Sequence, residues 1–177
     1  RQAQVLDRLE PELRDALIDS SVADSLDSAA IEALGLRADL LEQAERSGVP
    51  LRRREKGASY HSLFRDFLRD RLLERWTEEE RASLHVQLAE SLAATGAQPE
   101  AIDHWLVARH FEEALAAIGP LGAGLVRTSP ETVTRWLDAM PSELRGAPDY
   151  LFIRAQLMWG AGEHQGALGR LLALPRL

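Results

Sequence analysis

Two neighbouring features of this chain could do chemistry. Arg52-Arg53-Arg54-Glu55-Lys56 sets four bases against one acid, a local charge of +3. His61 follows, inside Tyr60-His61-Ser62-Leu63-Phe64-Arg65-Asp66-Phe67-Leu68. Clustered guanidinium and ammonium groups neutralise phosphates. An imidazole at the head of a helix can donate to an anion that the free amides and the macrodipole already favour. The bland alternatives stand beside these. The histidine can be a cap tucked under the preceding strands with a backbone hydrogen bond, and the basic run can be a solvated turn or a contact for another module. Elsewhere the reactive residue types are scattered. The carboxylates spread along helical stretches without an acid/base pair, and no Ser/His/Asp arrangement can be argued. His85, His104, His110 and His164 share no metal-ligand spacing. No metal site or catalytic residue is expected.

The sequence has 177 residues, 45% of them hydrophobic, enough to bury a real core in one large domain or two small ones. Its 28 acids outnumber 21 bases, a net charge of −7 that argues against a general nucleic-acid binder. Cysteine is absent. That removes disulfides, thiolate-bound zinc and thiol catalysis, and makes the reducing cytoplasm the expected location. No apolar run approaches the roughly 18 residues of a membrane span, and no signal peptide is recognisable. The sequence starts at Arg1 without Met and stops at Leu177 without a clear terminator, so a fragment of a longer polypeptide is expected.

The elements that must position the two features follow from periodicity and punctuation. Val5, Leu6 and Leu9 make a helical stripe, and Pro11 opens a second helix with Leu13, Ala16 and Leu17 inside. Short helices should follow around Ser28 to Leu34, closed by Gly35, and around Leu40, Leu41 and Ala44, closed by Gly48. Val49 to Leu51 reads as the first strand of a hairpin, with Pro50 suited to an edge. Leu63, Phe64, Phe67, Leu68, Leu72, Leu73 and Trp76 give the next helix one wide buried face. Helices followed by a basic hairpin and a further helix form a winged helix-turn-helix pattern over residues 1–76.

Thr77-Glu78-Glu79-Glu80 is a capping box for a long helix ending at Gly96. From there, Gln98-Pro99, Ser129-Pro130, Pro141 and Pro148 punctuate helix pairs, with Ser129 expected as a cap. Ala89, Gly96, Ala101 and Ala108 recur 66 positions later as Ala155, Gly162, Ala167 and Leu174. That is about twice the ~34-residue tetratricopeptide period. Residues 77–177 are therefore expected to form a tetratricopeptide-like helical-hairpin array, and the fold class is mostly α. Trp76, Trp105, Trp136 and Trp159 are expected in the core. Arg65-Asp66 and Arg69-Asp70 are expected to be a solvated face.

The chain resembles the signal-transduction ATPases with numerous domains (STAND class), specifically large bacterial transcription activators similar to the maltotriose-responsive activator. The resemblance rests on Glu10-Pro11-Glu12-Leu13-Arg14-Asp15, the Tyr60 to Leu68 segment, Ala101-Ile102-Asp103-His104-Trp105, Trp136-Leu137-Asp138-Ala139-Met140-Pro141, and Gly162-Glu163 with Ala167. It implies a winged helix and a helical superhelix placed after an ATPase module of the same chain. A separate domain would bind DNA, and no membrane would be involved. In relatives of the class a Met-His-Asp triplet sets its His against the β-phosphate of ADP. His61 matches that His, while Tyr60 and Ser62 replace its neighbours. The sequence has no Gly-x-x-x-x-Gly-Lys-Ser/Thr loop. The implied ATP or ADP would belong to the parent protein, and no enzyme activity or cofactor is expected of this piece. An effector molecule, a regulatory protein or a second copy would use the helical array.

Two readings of other classes stay open. One is a DNA-binding winged-helix protein with a helical dimerisation domain, in which Arg52, Arg53, Arg54 and Lys56 hold phosphates. Against it, Ala38 to Arg46, in the recognition position, carries three acids and one base. The other is a helical-repeat scaffold with no link to a nucleotide.

Overall fold

A proline costs nothing at the first helical position, where the amide has no intrahelical partner. Pro11 accordingly opens α2 (Pro11–Ser20), behind a short α1 (Gln2–Asp7). The computed structural model describes residues 2–172, which fall into two compact units, one ending at Ala97 and the other beginning at Gln98.

In the first unit, the Asp27 carboxylate accepts the Ala30 N–H at 2.9 Å and starts α3 (Ser28–Ala33). Helix α4 (Leu40–Arg46) follows. The hairpin is β1 (Leu51–Arg53) against β2 (Ala58–Tyr60), antiparallel, with Leu51 opposite Tyr60 and Arg53 opposite Ala58. The first strand starts later than its apolar run suggests. The Val49 N–H closes α4 on the Ala44 carbonyl (3.0 Å), and Pro50 has no donor to offer a ladder. Leu26 pairs with Ala58 on the other side of β2, through hydrogen bonds of 2.7 and 2.9 Å. Gly57 makes this approach possible: its φ is +88°, and a Cβ there would sit 1.9 Å from the Leu26 carbonyl oxygen.

Helix α5 (Ser62–Arg75) leaves the hairpin, and α6 (Glu78–Ala94) follows it. Phe64, Leu68 and Leu72 of α5 are buried with Leu17, Leu26 and Leu40. Each such side chain contributes about 1.5–3 kcal/mol relative to exposure. Leu63 and Leu73 depart from the wide buried face expected of this helix: they are 64% and 59% exposed. Only one side of α5 meets α2 and the hairpin, so its apolar arc is wider than its partner. The capping box forms, with Thr77 Oγ1 accepting the Glu80 N–H at 3.2 Å and the Glu80 carboxylate accepting the Thr77 N–H at 2.8 Å. Leu84, Leu88 and Leu92 then pack α6 onto the winged-helix core. Trp76/Thr77 is the α5–α6 junction, and by packing the first compact unit continues to Ala97.

The second unit holds α7 (Gln98–Val107), α8 (Phe111–Thr128), α9 (Pro130–Asp138), a 3₁₀ turn at Ser142–Leu144, α10 (Pro148–Gly160) and α11 (His164–Leu172). Among the described residues it contains no strand. Ile102, Ile118, Val133, Trp136, Leu137 and Ile153 form its core. Trp136 is fully buried because its one polar atom is satisfied: the indole N–H donates to Asp103 at 2.8 Å. Gly122 admits Ile153 of α10, whose side chain would be 3.2 Å from a Cβ. Ser129 makes no side-chain cap, its backbone being neither extended nor helical (φ −149°, ψ 60°).

The repeat's turn glycines, Gly96 and Gly162, take nearly the same positive φ, 86° and 85°. Ala89, Ala101, Ala108, Ala155 and Ala167 are all buried. Leu174 lies outside the described residues. The tryptophans divide: Trp136 is in the core, Trp76 and Trp105 are half-buried, and Trp159 is 53% exposed.

Candidate functional site

His61 sits at the junction of β2 and α5, as the N-cap residue with extended backbone (φ −60°, ψ 138°). Its backbone holds it on both sides. The His61 N–H donates to the Pro50 carbonyl at 3.0 Å, and its own carbonyl accepts from Phe64 and Arg65 at 2.9 and 3.0 Å. The imidazole does not cap the helix. It is exposed and has no hydrogen-bond partner among the described residues.

The residue before it is fixed more firmly still. Tyr60 is 4% exposed, and its hydroxyl lies 2.6 Å from Ser20 Oγ on α2. Burial pushes the Tyr60 phenol above its ordinary range, opposed by the Ser20 hydrogen bond. Ser62, on the other side, is exposed. Of Tyr60, His61 and Ser62, one is therefore a core anchor and two face outward.

A second set of contacts fixes the helix that carries His61. Arg65 and Arg69 find their ion-pair partner not in Asp66 and Asp70 but across the fold. Both reach Asp24, at 2.9 and 3.1 Å, and Arg69 Nε also donates to the Ser21 carbonyl at 2.9 Å. Asp66 and Asp70 remain exposed. At the far end Arg75 pairs with Asp15 and Asp19, and the Trp76 indole N–H donates to Asp19 at 2.6 Å. Burial raises the Asp19 carboxyl above its ordinary value, against the lowering effects of Trp76 and Arg75. Asp24, in a loop without a motif of its own, is the partner that sequence reasoning missed; periodicity carries no signal for it.

The wing divides its charge. Arg53 pairs with Glu45 of α4 at 2.5 Å, and Arg54 Nε donates to Ser59 at 3.1 Å. Arg52 and Lys56 are exposed, with no ion-pair partner among the described residues. On α4, Arg46 pairs with Glu42, while Arg37 and Gln43 both donate to Asp39. These donors, Arg37 first, hold the Asp39 carboxyl below its usual range. The hairpin register sets His61 beside the base of the wing, next to Pro50. The Arg54–Lys56 turn lies at the other end of the three-pair ladder, roughly 10 Å away along the strand. The structure thus does not merge His61 and the basic turn into one pocket. Among the described residues no three metal-ligating side chains come together, and no helix is long and apolar enough to cross a membrane.

The hairpin, the α3–α4 pair and the helix leaving β2 define a winged helix. Residues 2–81 match the family model described as the MalT winged helix domain. The chain is also similar to curated relatives. Serine/threonine-protein kinase PknK of Mycobacterium tuberculosis is 40% identical over 111 residues, 59% of this chain and 10% of the relative. The PknK of Mycobacterium bovis matches to the same extent. The chain thus spans about a tenth of the length of these relatives. A winged helix of the MalT type followed by helices thus occurs in a chain that is similar to a small part of a far longer protein.

Proposed function

We propose that this segment works in the cytoplasm, inside an ATP-dependent transcription regulator of the STAND class. The winged helix would report the nucleotide state of an adjacent ATPase module, and the tetratricopeptide-like helices would receive an effector or a partner protein. The observation that carries the reading is His61: an outward imidazole with no hydrogen-bond partner among the described residues, on a backbone fixed by Pro50, Tyr60 and the ion pairs of α5. A histidine needed only as a cap would be bonded to its helix, and this one is not. Exposed Leu63, two residues on, and Arg52 and Lys56, without an ion-pair partner among the described residues, offer the same neighbouring module an apolar and a basic contact. PknK is named as a kinase, but the region shared with it amounts to 10% of its length. Regulation rather than phosphoryl transfer is therefore the role proposed for this chain.

The test is nucleotide retention by the intact parent polypeptide. His61→Ala should release bound ADP about tenfold faster or more, the magnitude of one hydrogen bond to a charged group. Unchanged retention and activity would instead favour a helical scaffold without a nucleotide link. DNA binding by the wing is disfavoured, because Glu45 already holds Arg53 and α4 presents Asp39, Glu42 and Glu45. Affinity for random duplex DNA that falls steeply with salt would reverse that judgement.

A further inference from the structure

In the second unit, the ends of α8 and α9 and the body of α10 and α11 enclose an open cleft of about 1020 Å³. We propose that this cleft binds a small molecule combining an aromatic ring with an acidic group. The proposal rests on the reading above that the helical segment receives an effector, and it gives that effector a chemistry.

Charge is the first argument. The chain as a whole carries −7, yet Arg127, Arg154 and Arg170 line the cleft against one carboxylate, Glu163. Arg154 is already held by Asp138 at 3.0 Å. The guanidiniums of Arg127 and Arg170 have no carboxylate partner among the described residues. Arg170 is half-buried, and its Nε donates to Met158 Sδ at 3.2 Å. A thioether is a weak acceptor, and a guanidinium has five donors. Partial burial removes hydration from this group without supplying an anion. An acid in the cleft would supply it.

Shape and apolar surface give the rest. Trp159 is 53% exposed, with the His164 ring 4.5 Å away and tilted by 60°. A large indole left open in a concavity beside cations suits a flat ring with an acidic edge. A helical peptide fits less well: it needs a continuous apolar groove for anchors one and two turns apart, and here the arginines interrupt the apolar lining.

The test is calorimetric titration of the whole 177-residue chain with 2-naphthoate and with its neutral isostere, 2-naphthamide. The acid should bind about tenfold more tightly than the amide, one charge-assisted contact's worth. Arg127→Gln and Arg170→Gln should each weaken the acid about fivefold and leave the amide unchanged. Trp159→Leu should weaken both ligands, and quenching of tryptophan fluorescence by the acid should diminish in Trp159→Phe. Circular dichroism checks that each variant folds; Arg127 and Trp159 are exposed, so their replacement removes no core packing. Equal affinities for acid and amide, no binding of the acid at about 1 mM, or arginine variants that bind like the parent would each overturn the proposal. His61→Ala should leave naphthoate binding untouched, so failure here and failure of the nucleotide reading are separable.

Discussion

The contact between Tyr60 and Ser20 gives an unusually directional prediction. Ser20 is fully buried and its Oγ donates to the Leu17 carbonyl at 3.0 Å. A hydroxyl has one hydrogen, so in the 2.6 Å contact with Tyr60 the phenol is the donor. Tyr60→Phe removes that donor and leaves Ser20 with its carbonyl partner. The loss is one net hydrogen bond, about 0.5–1.5 kcal/mol. Ser20→Ala strands a phenol that is only 4% exposed, which costs about 1–3 kcal/mol. The serine variant should therefore be the less stable. The double variant should cost less than the sum, because no orphaned group remains. Amide hydrogen exchange of Leu26 and Ala58, which bond to each other across the sheet, reads the cost locally; each 1.4 kcal/mol is a tenfold change in exchange rate. Tyr60→Phe costing as much as Ser20→Ala, or strict additivity, would refute the donor assignment. The pH dependence has a definite sign. Burial raises the folded Tyr60 value above 10.0, so its contribution is intact below that pH and lost as pH rises through the folded value. Tyr60→Phe should flatten the alkaline decline.

Gly57→Ala should destabilise the first unit by at least about 2 kcal/mol, because its φ is positive and a Cβ would overlap the Leu26 carbonyl; faster exchange at Leu26 and Ala58 would report it. Trp136→Ala should destabilise the second unit by about 3–5 kcal/mol in calorimetric unfolding, since the fully buried indole is lost and Asp103 keeps only its pairing with Arg135. Asp19→Asn tests burial of a charge. Burial raises the Asp19 carboxyl above 3.8, so its favourable contribution belongs to low pH and is lost as pH climbs through the folded value. Denaturation against pH should lose that decline in the variant, whose amide oxygen can still accept from Trp76.

Much of the fold is legible in the sequence because its signals are local. Pro11 and Pro148 mark first helical turns, Gly96 and Gly162 mark ends, and Thr77 with Glu80 announces its own hydrogen bonds. What sequence reading misses is non-local. Leu26 enters the sheet as a single residue between Ser25 and Asp27, without any alternation to betray it. Asp24 is claimed by two arginines more than forty residues away. Leu63, Leu73 and Trp159 obey helical periodicity yet face outward, because periodicity tells which residues share a face and not how wide the opposing surface is. The position of His61 as the first residue before α5 follows from the order of strand, turn, strand and helix. That its ring stands unbonded depends on where the backbone turns, and the sequence does not specify that.

The Leu26 bridge also determines which strand borders open solvent. With Leu26 on one flank and β1 on the other, β2 is interior, and among the described residues β1 pairs on one side only. An open strand edge is a template for stacking chains into fibrils. Here that edge is Leu51-Arg52-Arg53 running into Arg54. A second copy joining edge to edge would bring its own arginines to within about 5 Å of these, the spacing of neighbouring strands. Like charges at that spacing repel, so the basic side chains of this edge disfavour edge-to-edge pairing of two copies.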